Sequence, residues 1–131
     1  MRIRFSGLRP AAAALGLLLA AVTPAFAHHS FTMFDQKHPQ NLDGVVKSWT
    51  FSNPHCWLIV LVKKGDAWME YSVEGSSVNT LIRQGFGPDT FHPGDRVSLV
   101  ISPLKDGANG GAFVKATKAD GTVYTQSPTP N

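Results

Sequence analysis

The residues of this chain that could do chemistry fall in three places: His28 and His29 in the stretch "AHHSF", His55 and Cys56 after Asn53-Pro54, and Glu74 at the end of an alternating run. Imidazole nitrogens ligate transition metals, and a nitrogen-rich set in tetragonal geometry suits Cu(II), which also tops the usual divalent affinity order. A cut after Ala27 would leave a free α-amine beside the His28 imidazole. Those two nitrogens could chelate one copper ion, and an imidazole from His29 or His55 could complete the set. The α-amine has a reference pKa of roughly 7.7–8.0, so deprotonating it near neutral pH costs about 1 kcal/mol or less. Read blandly, the two histidines are polar residues on a flexible end.

His55 and Glu74 raise a second possibility. An imidazole near a carboxylate can transfer protons, can hold a polar ligand or metal, or can simply pin a strand. Cys56 beside His55 invites a nucleophile and base, but neighbours on a strand point to opposite faces. By parity Cys56 goes with Leu58 and Val60, as a small buried apolar residue. His38 and His92 stand beside prolines in loop-like stretches. The run "KDGANGG" precedes no helix and lacks the Lys-Ser/Thr pair of a phosphate loop, so it reads as a hairpin connection. No G-x-S-x-G, H-E-x-x-H or C-x-x-C occurs. An enzyme would therefore rest on His55 and Glu74 alone.

The start of the chain bears on whether the copper chemistry can arise. Arg2, Arg4 and Arg9 precede an apolar run from Ala11 to Val22, and Ala25-Phe26-Ala27 is an A-x-A cleavage pattern. Residues 1–27 thus read as a secretory signal peptide. The run is shorter than the roughly 20 residues of a spanning helix, so no membrane insertion is expected after cleavage. Twin arginines are absent and position 28 is not Cys, which points to the general export route and a periplasmic or secreted protein. Cleavage also removes three of the 12 Lys+Arg, leaving nine against the nine Asp+Glu, so the mature chain is neutral. That argues against nucleic acid as a partner. Cys56 has no second cysteine to bond, so packing must supply the stability.

Removing 27 of 131 residues leaves 104, one domain. Residues 28–41 read as an extended lead-in and 125–131 as a disordered tail. Between them, residues 42–124 carry mostly strand signals. Leu42 to Ser52 is rich in β-branched and aromatic residues, with a parity shift between Val46 and Trp49 that suggests a bulge. Cys56 to Val62 is a buried-strand run, and Trp68 to Glu74 alternates. A helix is expected near Val78 to Gln84, with Ser76 or Ser77 as N-cap, a Val78/Leu81/Ile82 stripe and Gly85 as its stop. Strands follow over Arg96 to Ser102, Ala112 to Lys118 and Thr122 to Tyr124. Three strands, a helix and two or three strands is the order of a small OB-like, partly open, five- to six-stranded antiparallel barrel, mainly β, with one short helix after the third strand.

The second and third strands can be set in register. A turn that pairs Lys63 with Trp68 sets Leu58 against Val73, Val60 against Tyr71 and Val62 against Met69 on the core face. The opposite face then carries His55, Trp57, Ile59 and Leu61 against Trp68, Glu70, Ser72 and Glu74. Glu74 lies opposite Trp57 and diagonal to His55, about 7–8 Å away for such neighbours. The strip of Trp57, Ile59, Leu61 and Trp68 needs a partner or a cover, and the segment Ser30 to Phe34 is one candidate cover.

His28-His29-Ser30-Phe31 with Phe34-Asp35, Gly44 with Val46, Asn53-Pro54-His55 with Trp57, Glu74, Leu81 with Arg83 and Gly85, Pro93-Gly94-Asp95, and Pro103 with Lys105-Asp106-Gly107 follow one another in order. This series resembles DUF6152, a family of small exported bacterial proteins of unknown function. Cys56 departs from the pattern, where a small or hydroxyl residue is expected. The resemblance implies export and a small β-rich fold, and no activity. The reading that results is an exported, non-catalytic binding module. It would hold an unknown protein or small molecule on the face of the second and third strands, through His55, Trp57, Trp68 and Glu74. The alternative is copper binding through His28 with His29 and His55, and a third reading is an enzyme using the His55/Glu74 pair.

Overall fold

The computed structural model describes residues 31–127; the expected signal peptide, His28, His29 and the last four residues of the chain lie outside that range. After a 3-10 turn at Phe31–Met33 come β1 (Gln40–Thr50), β2 (Trp57–Lys64), β3 (Ala67–Glu74), α1 (Val78–Arg83), β4 (Arg96–Pro103), β5 (Gly110–Lys118) and β6 (Val123–Thr125). The sheet order is β3-β2-β1-β4-β5-β6, and β3 also pairs with β5. That extra pairing closes five strands into a barrel, with the helix between the third and fourth strands. This is the OB-like arrangement.

The β2–β3 register is the one that alternation predicts, from Trp57 opposite Glu74 to Lys63 opposite Trp68. Leu58, Val60 and Val62 are buried against Val73 and Tyr71. Met69 shares their face but is 38% exposed: every residue from Lys63 to Glu70 is exposed, so the hairpin tip stands clear of the core. The parity shift in β1 is a real register change between Val46 and Ser48. It lets Leu42 and Val46 face inward on one side of the bulge and Trp49 pack on the core from the other. Extra twist at such a bulge helps a short sheet curl.

The closing seam is short and parallel: Ser72, Val73 and Glu74 beside Gly110, Gly111 and Ala112. The antiparallel barrel expected from the sequence thus has one parallel contact. Further along β5, the edge that β3 leaves is taken by β6, with Lys115 opposite Thr125 and Thr117 opposite Val123. Gln126 continues that edge, its N–H donating to the Val114 carbonyl (2.9 Å). The expected disordered tail is therefore ordered at its start. The lead-in also differs from a plain extended segment: Phe34 forms a bridge to Leu104, and the Asp35 N–H donates to the Pro103 carbonyl (2.8 Å).

The helix reaches the barrel end through Leu81, which is 1% exposed, while Ile82 is 56% exposed. The expected three-residue stripe is thus two residues, Val78 and Leu81. A helix of six residues has fewer than two turns with which to face the core, and Phe86 and Phe91 fill the remaining space. Phe86 stacks edge-on against Phe113 (5.5 Å), and Trp49 meets Phe91 likewise (5.3 Å). Gly85 stops the helix at φ 86°, as expected of a C-terminal glycine.

Adjacent glycines let β5 lie close to both neighbours, Gly110 against β3 at the seam and Gly111 against β4. A Cβ on Gly110 would collide with the Ser72 carbonyl oxygen, and one on Gly111 with the Ser102 carbonyl oxygen. Gly111→Ala should lower unfolding free energy by about 1–3 kcal/mol, the usual cost of overpacking. Gly87 has open space around its Cβ position, and Gly87→Ala should change stability by no more than about 0.5 kcal/mol. Urea midpoints of the two variants check the contrast.

Candidate functional site

The turn between β1 and β2 positions His55 by clamping the residue after it. The Cys56 N–H donates to the Ser76 carbonyl (3.1 Å), and the Cys56 carbonyl accepts from the Gly75 N–H (2.8 Å). These bonds carry the β2–β3 ladder one step past Trp57 and Glu74. His55 and Glu74 therefore meet diagonally at the end of the hairpin. His55 Nδ1 lies 3.1 Å from Glu74 Oε1 and 3.3 Å from the Gly75 carbonyl oxygen. An ionised carboxylate and a carbonyl only accept, so Nδ1 carries the hydrogen. In the neutral ring the lone pair then sits on Nε2, the nitrogen that can ligate a metal or take a proton. The Glu74 side chain is 13% exposed and that of His55 37%, so the carboxylate lies beneath and the imidazole toward solvent.

Cys56 points the other way. It is fully buried, its Sγ contacts the Ser52 carbonyl (3.7 Å), and burial raises its thiol pKa. A raised pKa suppresses the thiolate, so His55 and Cys56 make no nucleophile–base pair.

Trp57 lies directly across from Glu74 on the outer face and is 38% exposed. Next along that face come Ile59 and Ser72, then Leu61 and Glu70, with Glu70 ion-paired to Lys47 from the bulge. The 51–56 turn borders one side of this surface. The 104–109 turn approaches from the other, where the Ser72 N–H donates to the Asn109 carbonyl (3.3 Å). Strands two and three between the first and last interstrand loops form the ligand face of OB-like barrels.

The structure brings His55, Trp57 and Glu74 together and leaves Trp68 apart. Trp68 pairs with Lys63, six residues along β2 from Trp57, about 20 Å at strand rise. Half-buried Ile59 and Leu61 lie between the two indoles on the same face, the order expected of the strip. The described part of the candidate cover is tied to the 104–109 turn, where the Met33 carbonyl accepts from the Lys105 N–H (3.0 Å), and it leaves Trp68 55% exposed. His38 is held by Asp35 (2.8 Å), and that hydrogen bond is the main reason the Asp35 pKa is lowered. Among the described residues no three His, Cys, Asp or Glu side chains gather around a metal-sized space; His28 and His29 lie outside that range.

Two supports of the site were not read from the sequence. Asn53 Oδ1 accepts from the Val78 N–H (3.0 Å), so the β1–β2 turn caps the helix, while Ser77 makes no side-chain cap and bonds Thr80 instead (3.1 Å). Gln126 Oε1 accepts from the Ser76 N–H (2.9 Å), tying the last strand to the turn after Glu74. The Asn53-Pro54 pair was visible as punctuation, but a cap supplied from 25 residues away leaves no local pattern.

Residues 14–114 match a family of unknown function, DUF6152. The chain belongs to that family. The matched span takes in His55, Trp57 and Glu74 and ends within β5, before β6 and Gln126. A comparison with curated proteins gave no match, and neither did one with solved structures.

Asn53→Ala should destabilise the protein by about 1 kcal/mol, as loss of a helix cap does, and Ser77→Ala by clearly less. Thermal melts of the two variants test this order; a larger loss from Ser77→Ala would mean the serine is the working cap.

Proposed function

We propose that this DUF6152 protein is an exported, non-catalytic binding module that takes a protein or small molecule on the outer face of β2–β3, at the end built by His55, Trp57 and Glu74. The observation that carries the reading is the half-exposed Trp57 beside an oriented His55–Glu74 pair on the face between the 51–56 and 104–109 turns. An indole beside a fixed imidazole combines an apolar anchor with a directed polar group, the usual make-up of a recognition site. Replacing Trp57 with a photo-crosslinking phenylalanine analogue in cells should trap the occupant, identified by mass spectrometry. The same analogue at Val123, which is 54% exposed on β6, should trap much less. His55→Ala in the Trp57 crosslinking protein should lower the yield by about tenfold, the effect of losing one good polar contact. Equal yields from positions 57 and 123 count against the site, and an undiminished yield after His55→Ala makes the histidine structural.

A second reading, copper binding, draws support from the tautomer. A carboxylate that holds Nδ1 is the common outer partner of a metal-ligating histidine, leaving Nε2 for the ion. The remaining nitrogens would come from His28, with its α-amine after export, and from His29. Adding one residue before His28 moves the amine while keeping every imidazole. Cu(II) titration of the native and extended proteins should then show at least about tenfold weaker binding in the extended form. Equal affinity in the two forms rejects the amine-dependent site.

A further inference from the structure

The far end of the β2–β3 hairpin borders a groove of about 410 Å³ lined by Asp43, Lys63, Trp68, Arg96, Ser98 and Thr117, among others. Volumes of about 300–1,000 Å³ suit small ligands. The register shows how the groove is made. Trp68 pairs with Lys63, Gly44 next to Asp43 pairs with Val62 next to Lys63, Asp43 pairs with Ser98, and Ser98 pairs with Thr117. One cross-strand row therefore runs from Trp68 through Lys63, Asp43 and Ser98 to Thr117, across five strands. At about 4.8 Å per strand the row is about 19 Å long. Arg96 stands two residues along β4 from Ser98, in the next row on the same face, opposite Val45.

The charges in the groove are unequally engaged. Lys118 is committed to Asp95 (3.1 Å) and to the Thr90 carbonyl (3.0 Å). Lys63 and Arg96 have no acidic partner among the described residues. Asp43 accepts a hydrogen bond from Ser98 Oγ (2.5 Å). Two unpaired cations favour an anionic group. The Asp43 carboxylate disfavours a bare inorganic anion and favours a ligand that brings hydroxyl donors. Trp68, 55% exposed at one end of the row, offers a flat apolar platform on which the C–H face of a ring can lie. The row curves with the outside of the barrel, and polar groups spaced along it suit a chain of rings rather than one.

We propose that this groove binds an acidic oligosaccharide, with a sugar ring on Trp68, a carboxylate near Lys63 and Arg96, and hydroxyls on Asp43, Ser98 and Thr117. The site is separate from the one at His55 and does not rest on it.

The test uses the mature chain and three probes followed by calorimetry and tryptophan fluorescence: tetragalacturonate, the neutral maltotetraose, and sodium sulfate. Tetragalacturonate should bind saturably below about 1 mM, with maltotetraose and sulfate each at least about tenfold weaker. Trp68→Ala and Arg96→Gln should each weaken tetragalacturonate by about tenfold, and raising salt from about 50 to about 500 mM should weaken it further. Both residues are exposed, so the variants should fold, and Arg83→Gln on α1 removes the same charge outside the groove and should leave binding unchanged. The proposal is overturned by the absence of saturable tetragalacturonate binding up to about 10 mM. It is equally overturned by binding that ignores Trp68→Ala, or by sulfate binding as well as the sugar acid.

Discussion

Closure of the barrel between β3 and β5 is the constraint on which the other features of this protein depend. Five short strands have too little area on one face to cover a core against a single helix, so the sheet must bury its own inner face. It does so only if β5 reaches β3 over Ser72, Val73 and Glu74, and Gly110 allows the backbones to approach there. The same contact fixes the end of β3, and Glu74 is the last residue of that strand. A carboxylate one step beyond a looser seam would have no set direction. At this seam it is held close enough to His55 to define which ring nitrogen carries the hydrogen.

What could be read from the sequence follows from period-two alternation. The register of β2 on β3, the inward side of Val97, Leu99 and Ile101 in β4, and the bulge after Val46 all rest on which residues share a face, and each matches the structure. The proximity of His55 and Glu74 comes from the same rule. Where alternation gives no constraint, the reading departs from the structure. Ile82 had the right spacing for a helical stripe, but a helix of fewer than two turns touches the core at too few points for spacing to decide. Trp57 and Trp68 share a face, yet sharing a face says nothing about distance along it, and the strand separates them. Parallel closure, the Asn53 cap and the Gln126 clasp join residues far apart in sequence, and no local pattern records them.

The hairpin also explains how one domain of this size presents two dissimilar surfaces. Its base is built into the barrel, so groups there are partly covered and held by the backbone: Glu74 is 13% exposed, and His55 bonds to both the carboxylate and the Gly75 carbonyl. Its tip stands clear of the core, so Lys63 and Trp68 are exposed and gain shape only from neighbouring strands β1, β4 and β5. Polar groups at the base are few and directed, which suits a ligand recognised by one or two contacts. Those around the tip are more numerous and spread along a row, which suits an extended ligand recognised by several weak ones.

Covalent catalysis at the base of the hairpin would need a protein nucleophile beside these two residues. A carboxylate that keeps Nδ1 protonated orients the imidazole, but a nucleophile–base pair also needs a nucleophile within reach of that ring. The nearest thiol, Cys56, lies on the opposite side of the strand with its pKa raised by burial. Moving it to the outer face would take a one-residue slip of β2, and the same slip would carry Leu58, Val60 and Val62 out of the core. The parity that makes the barrel stable is thus what keeps the thiol from the imidazole, and an oriented histidine beside an exposed indole is what the outer face retains.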